Sequence, residues 1–156
     1  MEIVNTIFYF LIVIGILVFI HEFGHFIAAR LCGMRAEIFA FGMGFRLFGY
    51  NKINGFTFGK MDETLELGDH TDYRVCAFPI GGFVKVSGMI DVSMDKEFVK
   101  SEPKPWEYRS KPVWKRMIVI TAGVLMNIFL AFLIFYAINF IKGKSLIDTT
   151  TIGYVQ

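Results

Sequence analysis

Apolar positions along this chain fall into two long blocks separated by a stretch of shorter period. From Ile3 to Ile20 only Asn5 and Thr6 interrupt the run, and Met117 to Ile141 carries no charged residue. At 1.5 Å per helical residue the blocks span about 27 Å and about 37 Å, and the first lengthens further if its helix continues through HEFGHFIAARLC. Both lengths suit the hydrocarbon layer of a bilayer. Between them the period changes. AEIFAFGMGFRLFGY (36–50), GFTFGKMDETLELG (55–68) and TDYRVCAFPIGGFVKVSG (71–88) are rich in aromatic and β-branched residues with glycine punctuation, which predicts short strands and hairpins. Within the third, AFPIGGFV is apolar on both faces of any strand, so it calls for burial in protein or in the bilayer. From Asp91 to Pro112 the chain turns polar and proline-containing, a surface connector. Trp106, Tyr108 and Trp114 then stand just ahead of the second block, where amphipathic rings favour the membrane interface. Beyond Ile141, Thr149 to Val155 reads as the first strand of another domain. A strand without partners cannot bury its faces, so the sequence reads as the front part of something longer.

Composition agrees with a membrane class. Hydrophobic residues make up 54% of the 156 and aromatics 17%, well above the soluble norm. A cleaved leader is the competing reading of the first block. It fails because Met1-Glu2 offers no Lys or Arg and no small-x-small cleavage site follows. No basic residue precedes the first block, whereas Arg30, Arg35 and Arg46 follow it. Arg109, Lys111, Lys115 and Arg116 precede the second, against Lys142 and Lys144 after it. The positive-inside rule puts the N-terminus outside, residues 34–116 in the cytoplasm and the C-terminus outside. The net charge of +2 sums unlike pieces. The basic residues flanking the helices suit the anionic head groups of a lipid bilayer, and nothing supports a nucleic-acid partner. Cys32 and Cys76 lack CxxC spacing and are expected as free structural thiols.

The fold class expected is a membrane protein: transmembrane α-helices with a cytoplasmic-side β-hairpin region. Its segments are a first helix over 1–33, a β-rich loop over 34–90, a connector over 91–116, a second helix over 117–141 and the start of a β domain over 142–156.

The chemistry sits where the first block closes, in LVFIHEFGHFIAAR. Positions i and i+4 share a helix face, so His21 and His25 can turn both imidazoles toward one metal ion. Glu22 lies about 100 degrees round from His21, within reach of a water on that metal. His-Glu-x-x-His thus supplies two zinc ligands and a general base, because zinc lowers the pKa of bound water toward about 7 and a carboxylate takes its proton. The bland alternative is that His21 and Glu22 merely end the span while His25 and Arg30 reach the interface. That alternative requires no particular spacing.

HEFGHFIAARLCGM, followed by FPIGGFVKVSG and then by SKPVWKRMIVITAGVLMNIFLAF, resembles the bacterial site-2 proteases of the PDZ-containing, RseP-like or RasP-like type, over nearly the whole chain from Phe19 to Tyr136. The resemblance implies an intramembrane zinc metalloendopeptidase of regulated intramembrane proteolysis in the bacterial cytoplasmic membrane. It implies Zn2+ held by His21 and His25, with Glu22 catalytic. Substrates would be membrane-anchored proteins such as anti-sigma factors or signal-peptide remnants. The family's membrane-inserted β-hairpin maps to residues 73–86, whose edge could pair with an unwound substrate. Substrate contacts are implied at Pro79, Gly81, Gly82, Gly123 and Asn127. The last two form a Gly-x-x-x-Asn on one face of the second helix, with helix packing and an interhelical hydrogen bond as the alternative role. Many relatives have proline after that glycine, where this chain has Val124.

The family takes its third zinc ligand from an Asp, usually in an Asp-Gly pair of a later span. No Asp-Gly occurs here, so that ligand is expected beyond Gln156. TTTIGYVQ resembles the entry to the family's PDZ domain. Asp69 and His70 are read as a solvated turn rather than substitute ligands. Two other classes stay open: a non-catalytic membrane scaffold, and an integral-membrane zincin of another family.

Overall fold

The computed structural model describes residues 1–60, 67–89 and 102–143. Along the chain come helix α1 (Glu2–Leu31), strands β1 (Ala36–Asn51), β2 (Gly55–Phe58) and β3 (Asp72–Val86), and helix α2 (Val113–Lys142). The expected domain start at 142–156 lies outside the described residues beyond Gly143, as does the connector over 90–101. In the second predicted strand region only Gly55–Phe58 is strand, and residues 61–66 lie outside the description.

Both helices are long and apolar enough to cross a membrane. At 30 residues each, they extend about 45 Å. α1 continues without a break through both histidines and ends on a glycine. Gly33 adopts φ +72°, its N–H donates to the Arg30 carbonyl, and the Met34 N–H donates to Ala29. Those two bonds are the Schellman pair that satisfies the last carbonyls of a helix. α2 begins after Pro112, four residues ahead of the charge-free run, because Lys115 and Arg116 are good helix formers whose charge does not end a helix.

The helices meet through small residues. Gly24 and Ala28 are the positions of α1 buried one turn apart, and Val119 and Gly123 are their counterparts on α2. A Cβ on Gly24 would lie 2.6 Å from the Ala122 carbonyl, so a larger residue there would push the helices apart. Elsewhere their apolar side chains point outward: Phe8, Phe10, Phe132 and Phe135 are all more than half exposed. That is the arrangement of helices whose solvent is lipid.

The sheet has the order β2-β1-β3; β2 and residues 82–86 of β3 run antiparallel to β1, while residues 72–75 of β3 run parallel to residues 38–41 and antiparallel to residues 48–50. Its register shows that β3 doubles around β1. Phe39 partners both Val84 and Tyr73, and Ala40 partners both Phe83 and Arg74. The apolar stretch therefore does act as a hairpin, but its two arms straddle β1 rather than pairing with each other. The bends of the two strands interlock. Gly42 (φ +84°) would place a Cβ 2.5 Å from the Phe78 carbonyl, and Gly81 (φ +92°) would place one 2.9 Å from the Met43 sulfur. Only glycine meets both demands, a left-handed backbone and close approach. Large apolar side chains at these bends, Met43, Phe45, Phe78 and Ile80, are more than half exposed.

A compact core of Ala28, Ala29, Cys32, Met34, Val86 and Val119 marks the junction of α1, the sheet and α2. The connector straps this junction, since Tyr108 N–H donates to Ser87 O at 2.7 Å and Arg35 N–H donates to Trp106 O at 3.0 Å. The Arg35 guanidinium also lies 4.7 Å from the Trp106 ring centre. Both cysteines are free and buried.

Candidate metal centre

The lower half of α1 sorts its side chains onto two faces. Phe19, Phe23 and Phe26, spaced i, i+4 and i+7, turn to the sheet, where they meet Phe39, Phe41 and Tyr73. The aromatic layer is loosely filled, leaving an apolar cavity of about 350 Å³. His21 and His25, spaced i and i+4, turn instead to α2. Edge-to-face aromatic pairs are worth about 0.5–1.5 kcal/mol each beyond the area they bury. The phenylalanine face therefore fixes the roll of the helix about its axis, and with it the aim of the histidines.

On the α2 side the two imidazoles converge. Their Nε2 atoms stand 3.2 Å apart, and both rings are partly buried. The Val119 carbonyl accepts a hydrogen bond of 2.6 Å from His25 Nδ1–H, because a carbonyl oxygen can only accept. In the neutral ring Nε2 then carries the lone pair. Asn127 Nδ2 lies 3.5 Å from His21 Nδ1. Gly123 faces the converging nitrogens: a Cβ there would come within 2.5 Å of His25 Nε2 and 2.7 Å of His21 Nε2. The space at the paired nitrogens exists because residue 123 has no side chain.

Glu22 projects between the histidine face and the sheet. A Cβ added to Gly82 would meet its Cγ at 3.2 Å and Val18 at 3.7 Å. Among the described residues no hydrogen bond or ion pair engages the Glu22 carboxylate. The strand beside it, Gly82–Val86, belongs to β3 at the edge of the sheet. Further along the same strand the Pro79 carbonyl would meet a Cβ on Gly15 of α1 at 3.7 Å. Gly15 precedes Glu22 by two helical turns, about 10 Å along α1, so the bend of β3 reaches down beside the apolar block.

These residues suit a soft divalent cation. Two imidazole nitrogens converge, one with its lone pair fixed by a backbone acceptor, in a cradle that a Cβ would fill. Among the described residues no group of three or more His, Cys, Asp or Glu side chains converges, so the centre as described offers two donors. Asp69 is occupied elsewhere: its exposed carboxylate lies 3.5 Å from Arg30 and 3.9 Å from Arg35.

The structure brings His21, His25, Gly123 and Asn127 together, and Glu22, next to His21 on the helix, lies against Gly82. Pro79 and Gly81 lie farther along, at the bend, where Gly81 packs on Met43 and Pro79 on α1. The Val119 carbonyl is the partner that sequence reading missed. Every residue has a carbonyl, and only its position one turn before Gly123 on the same helix face hints at this one.

A model of peptidase family M50 matches residues 9–155. Among similar proteins, one named as a putative zinc metalloprotease, of Brucella suis biovar 1, is 31% identical over 155 residues, covering 96% of this chain and 37% of that protein. One of the same name, of Fusobacterium nucleatum, is 32% identical over 141 residues, covering 90% and 34%. Another so named, of Chlamydia pneumoniae, is 36% identical over 146 residues, covering 90% and 21%. The chain thus spans about a third or less of the length of these relatives.

Proposed function

Because the chain belongs to peptidase family M50, the site-2 protease family, we propose that it carries the metal-binding and substrate-presenting part of an intramembrane zinc metalloendopeptidase. The observation that carries this reading is the pair of Nε2 atoms 3.2 Å apart, facing a glycine and flanked by an uncommitted carboxylate. His21 and His25 hold the zinc, and the third protein donor comes from outside the described residues, an Asp if the family pattern holds. Bound zinc would supply Lewis acidity and a water that deprotonates near neutral pH.

The rest of the work falls to this chain's own groups. Glu22 takes the proton of the attacking water and returns it to the leaving amine, as a general base and then acid. β3 presents the substrate. An extended segment adds as a strand beside Gly82–Val86, where main-chain hydrogen bonds hold a peptide whatever its side chains. Helices expose no main-chain hydrogen-bonding groups, so a transmembrane substrate must unwind before it can pair. The bend of β3 has Phe78 and Ile80 exposed and Pro79 against Gly15; in this reading it sits at bilayer depth, where such a segment would arrive.

The same reading makes the protein multi-pass in the bacterial cytoplasmic membrane, N-terminus outside and residues 34–116 in the cytoplasm. Its chemical class of substrate is a membrane-anchored protein cut during regulated intramembrane proteolysis, and the segment beyond Gly143 leads into a PDZ-like domain. The test is the whole protein with Glu22→Gln, assayed on a reporter with a single transmembrane segment. Zinc content should be unchanged and cleavage lost. Undiminished cleavage sinks the assignment of Glu22, and a wild type that cleaves equally well after zinc removal sinks the metal.

A further inference from the structure

Beside the two histidines read as metal ligands, the buried Asn127 Oδ1 has no hydrogen-bond partner. A buried acceptor left unpaired costs about 1–3 kcal/mol. The hydrogens around the two rings can be assigned from their partners. His25 donates from Nδ1 to the Val119 carbonyl, so its Nε2 is an acceptor. The Nε2 to Nε2 contact of 3.2 Å must then take its hydrogen from His21 Nε2–H, which makes His21 Nδ1 an acceptor as well. Asn127 Nδ2, 3.5 Å from that atom, is the donor it needs. Asn127, His21, His25 and Val119 thus form one file of hydrogen bonds running in a single direction, complete without a metal and leaving only Oδ1 stranded.

A cation at the paired nitrogens breaks this file, because His21 must give up the hydrogen on Nε2 to offer a lone pair. In the neutral ring that hydrogen resides on Nδ1, where the Asn127 amide would oppose it donor to donor. We propose that the Asn127 carboxamide turns over when the metal binds, so that Oδ1 accepts a hydrogen bond from His21 Nδ1–H. The two orientations of a carboxamide have the same shape, so the turn needs no repacking; Nδ2 takes the place Oδ1 leaves, and what the turn removes is the donor-to-donor contact with His21. Protons balance: His21 loses one at Nε2, gains one at Nδ1 and stays neutral. Asn127 becomes the positioning residue for His21, as the Val119 carbonyl is for His25. Outer partners of this kind change metal affinity by about 10–100-fold.

The inference rests on the metal-centre reading, and the experiment separates the two. Whole protein labelled with 15N-histidine in micelles is followed by long-range 1H–15N spectra, which report the protonated ring nitrogen, with and without zinc. Wild-type His21 should pass from Nε2–H to Nδ1–H on zinc binding. Asn127→Asp offers an acceptor in either orientation, so His21 should be Nδ1–H already without zinc, and zinc should bind at least as tightly as to wild type. Asn127→Leu, of similar size with no acceptor, should bind zinc about 10–100-fold more weakly. A role in helix packing alone predicts equal zinc affinity for Leu and wild type, or equal weakness for Asp and Leu, and either result overturns the proposal. So does a zinc-bound wild type whose His21 keeps its hydrogen on Nε2. A wild type that binds no zinc overturns the metal reading and this one with it.

Discussion

Two polar clusters sit in apolar surroundings here, and they treat their valences in opposite ways. In the sheet, the fully buried Asp72 is ion-paired with Arg74 and lies 3.8 Å from Arg46. Arg46 in turn bonds the Gly59 carbonyl at 2.8 Å and the Thr57 hydroxyl at 2.6 Å, tying β2 to the bend region of β1. Except for Arg46 Nε, the members of that cluster spend their hydrogen-bonding capacity on one another. Between the helices, two imidazole nitrogens point at each other across a missing side chain, Glu22 is uncommitted, and Asn127 keeps an unpaired oxygen. A structural cluster saturates itself, because each unpaired buried group costs stability. Here Glu22 and Asn127 Oδ1 are left unpaired, a cost that the proposed metal centre would account for.

The sharpest way to break this contrast is to exchange the consequences of mutation. Glu22→Gln should lower cleavage by about 10²–10⁴-fold, the usual worth of a general base, while thermal unfolding stays at the wild-type midpoint. A matching loss of stability would make Glu22 a structural residue like Asp72. Asp72→Ala should do the reverse. Removing it strands Arg46 and Arg74 in the sheet, which costs about 3–5 kcal/mol for a buried pair broken from one side. Urea titration followed by tryptophan fluorescence should show that loss, while the zinc stoichiometry of protein that remains folded is unchanged. A variant that loses zinc before it loses the sheet would show that the clusters are one unit.

How much of this was legible in the sequence differs between the same two regions. The helical half was nearly all there: the apolar blocks fix two spans, and i, i+4 spacing puts His21 and His25 on one face without any knowledge of partners. Gly123 was legible as part of a motif but not for its reason, since the space it leaves exists only once α2 lies against α1. Asn127 reads from sequence as either a substrate contact or an interhelical hydrogen bond, and the structure puts its amide beside His21 on the other helix. The sheet was legible as strands but not as a register. Nothing local says that residues 72–75 and 82–86 will pass on either side of β1, because that pairing is decided by contacts more than thirty residues apart. The buried charge cluster was hidden for the same reason, as Arg46, Asp72 and Arg74 meet only through that register.

Gly123→Ala sharpens the contrast at a smaller scale. The added methyl falls 2.5 Å from His25 Nε2 and 2.7 Å from His21 Nε2, and overpacking of this kind costs about 1–3 kcal/mol. If the cost falls on the ligand space, zinc affinity drops by about 5–150-fold, and the melting temperature of the metal-free protein changes little. The reverse pattern, zinc binding intact with a lower melting temperature, would make Gly123 a helix-packing residue only.

The smallest effect is expected at Asp69, the acidic residue whose position in the sequence invites a metal role. Its carboxylate is 78% exposed and pairs with Arg30 and Arg35 at 3.5 and 3.9 Å. Solvent-exposed pairs are worth about 0.2–1 kcal/mol. Asp69→Asn should therefore shift stability by less than about 1 kcal/mol, and salt should erase the difference, since screening already weakens the wild-type pair. Zinc affinity should be untouched, because the Arg30 and Arg35 that hold this carboxylate belong to the end of α1 and the turn after it, beyond the face that carries His21 and His25. A fall in zinc affinity on Asp69→Asn would mean that the loop closes onto the metal. It would then supply the donor that the two imidazoles need, and the third ligand would lie within this chain.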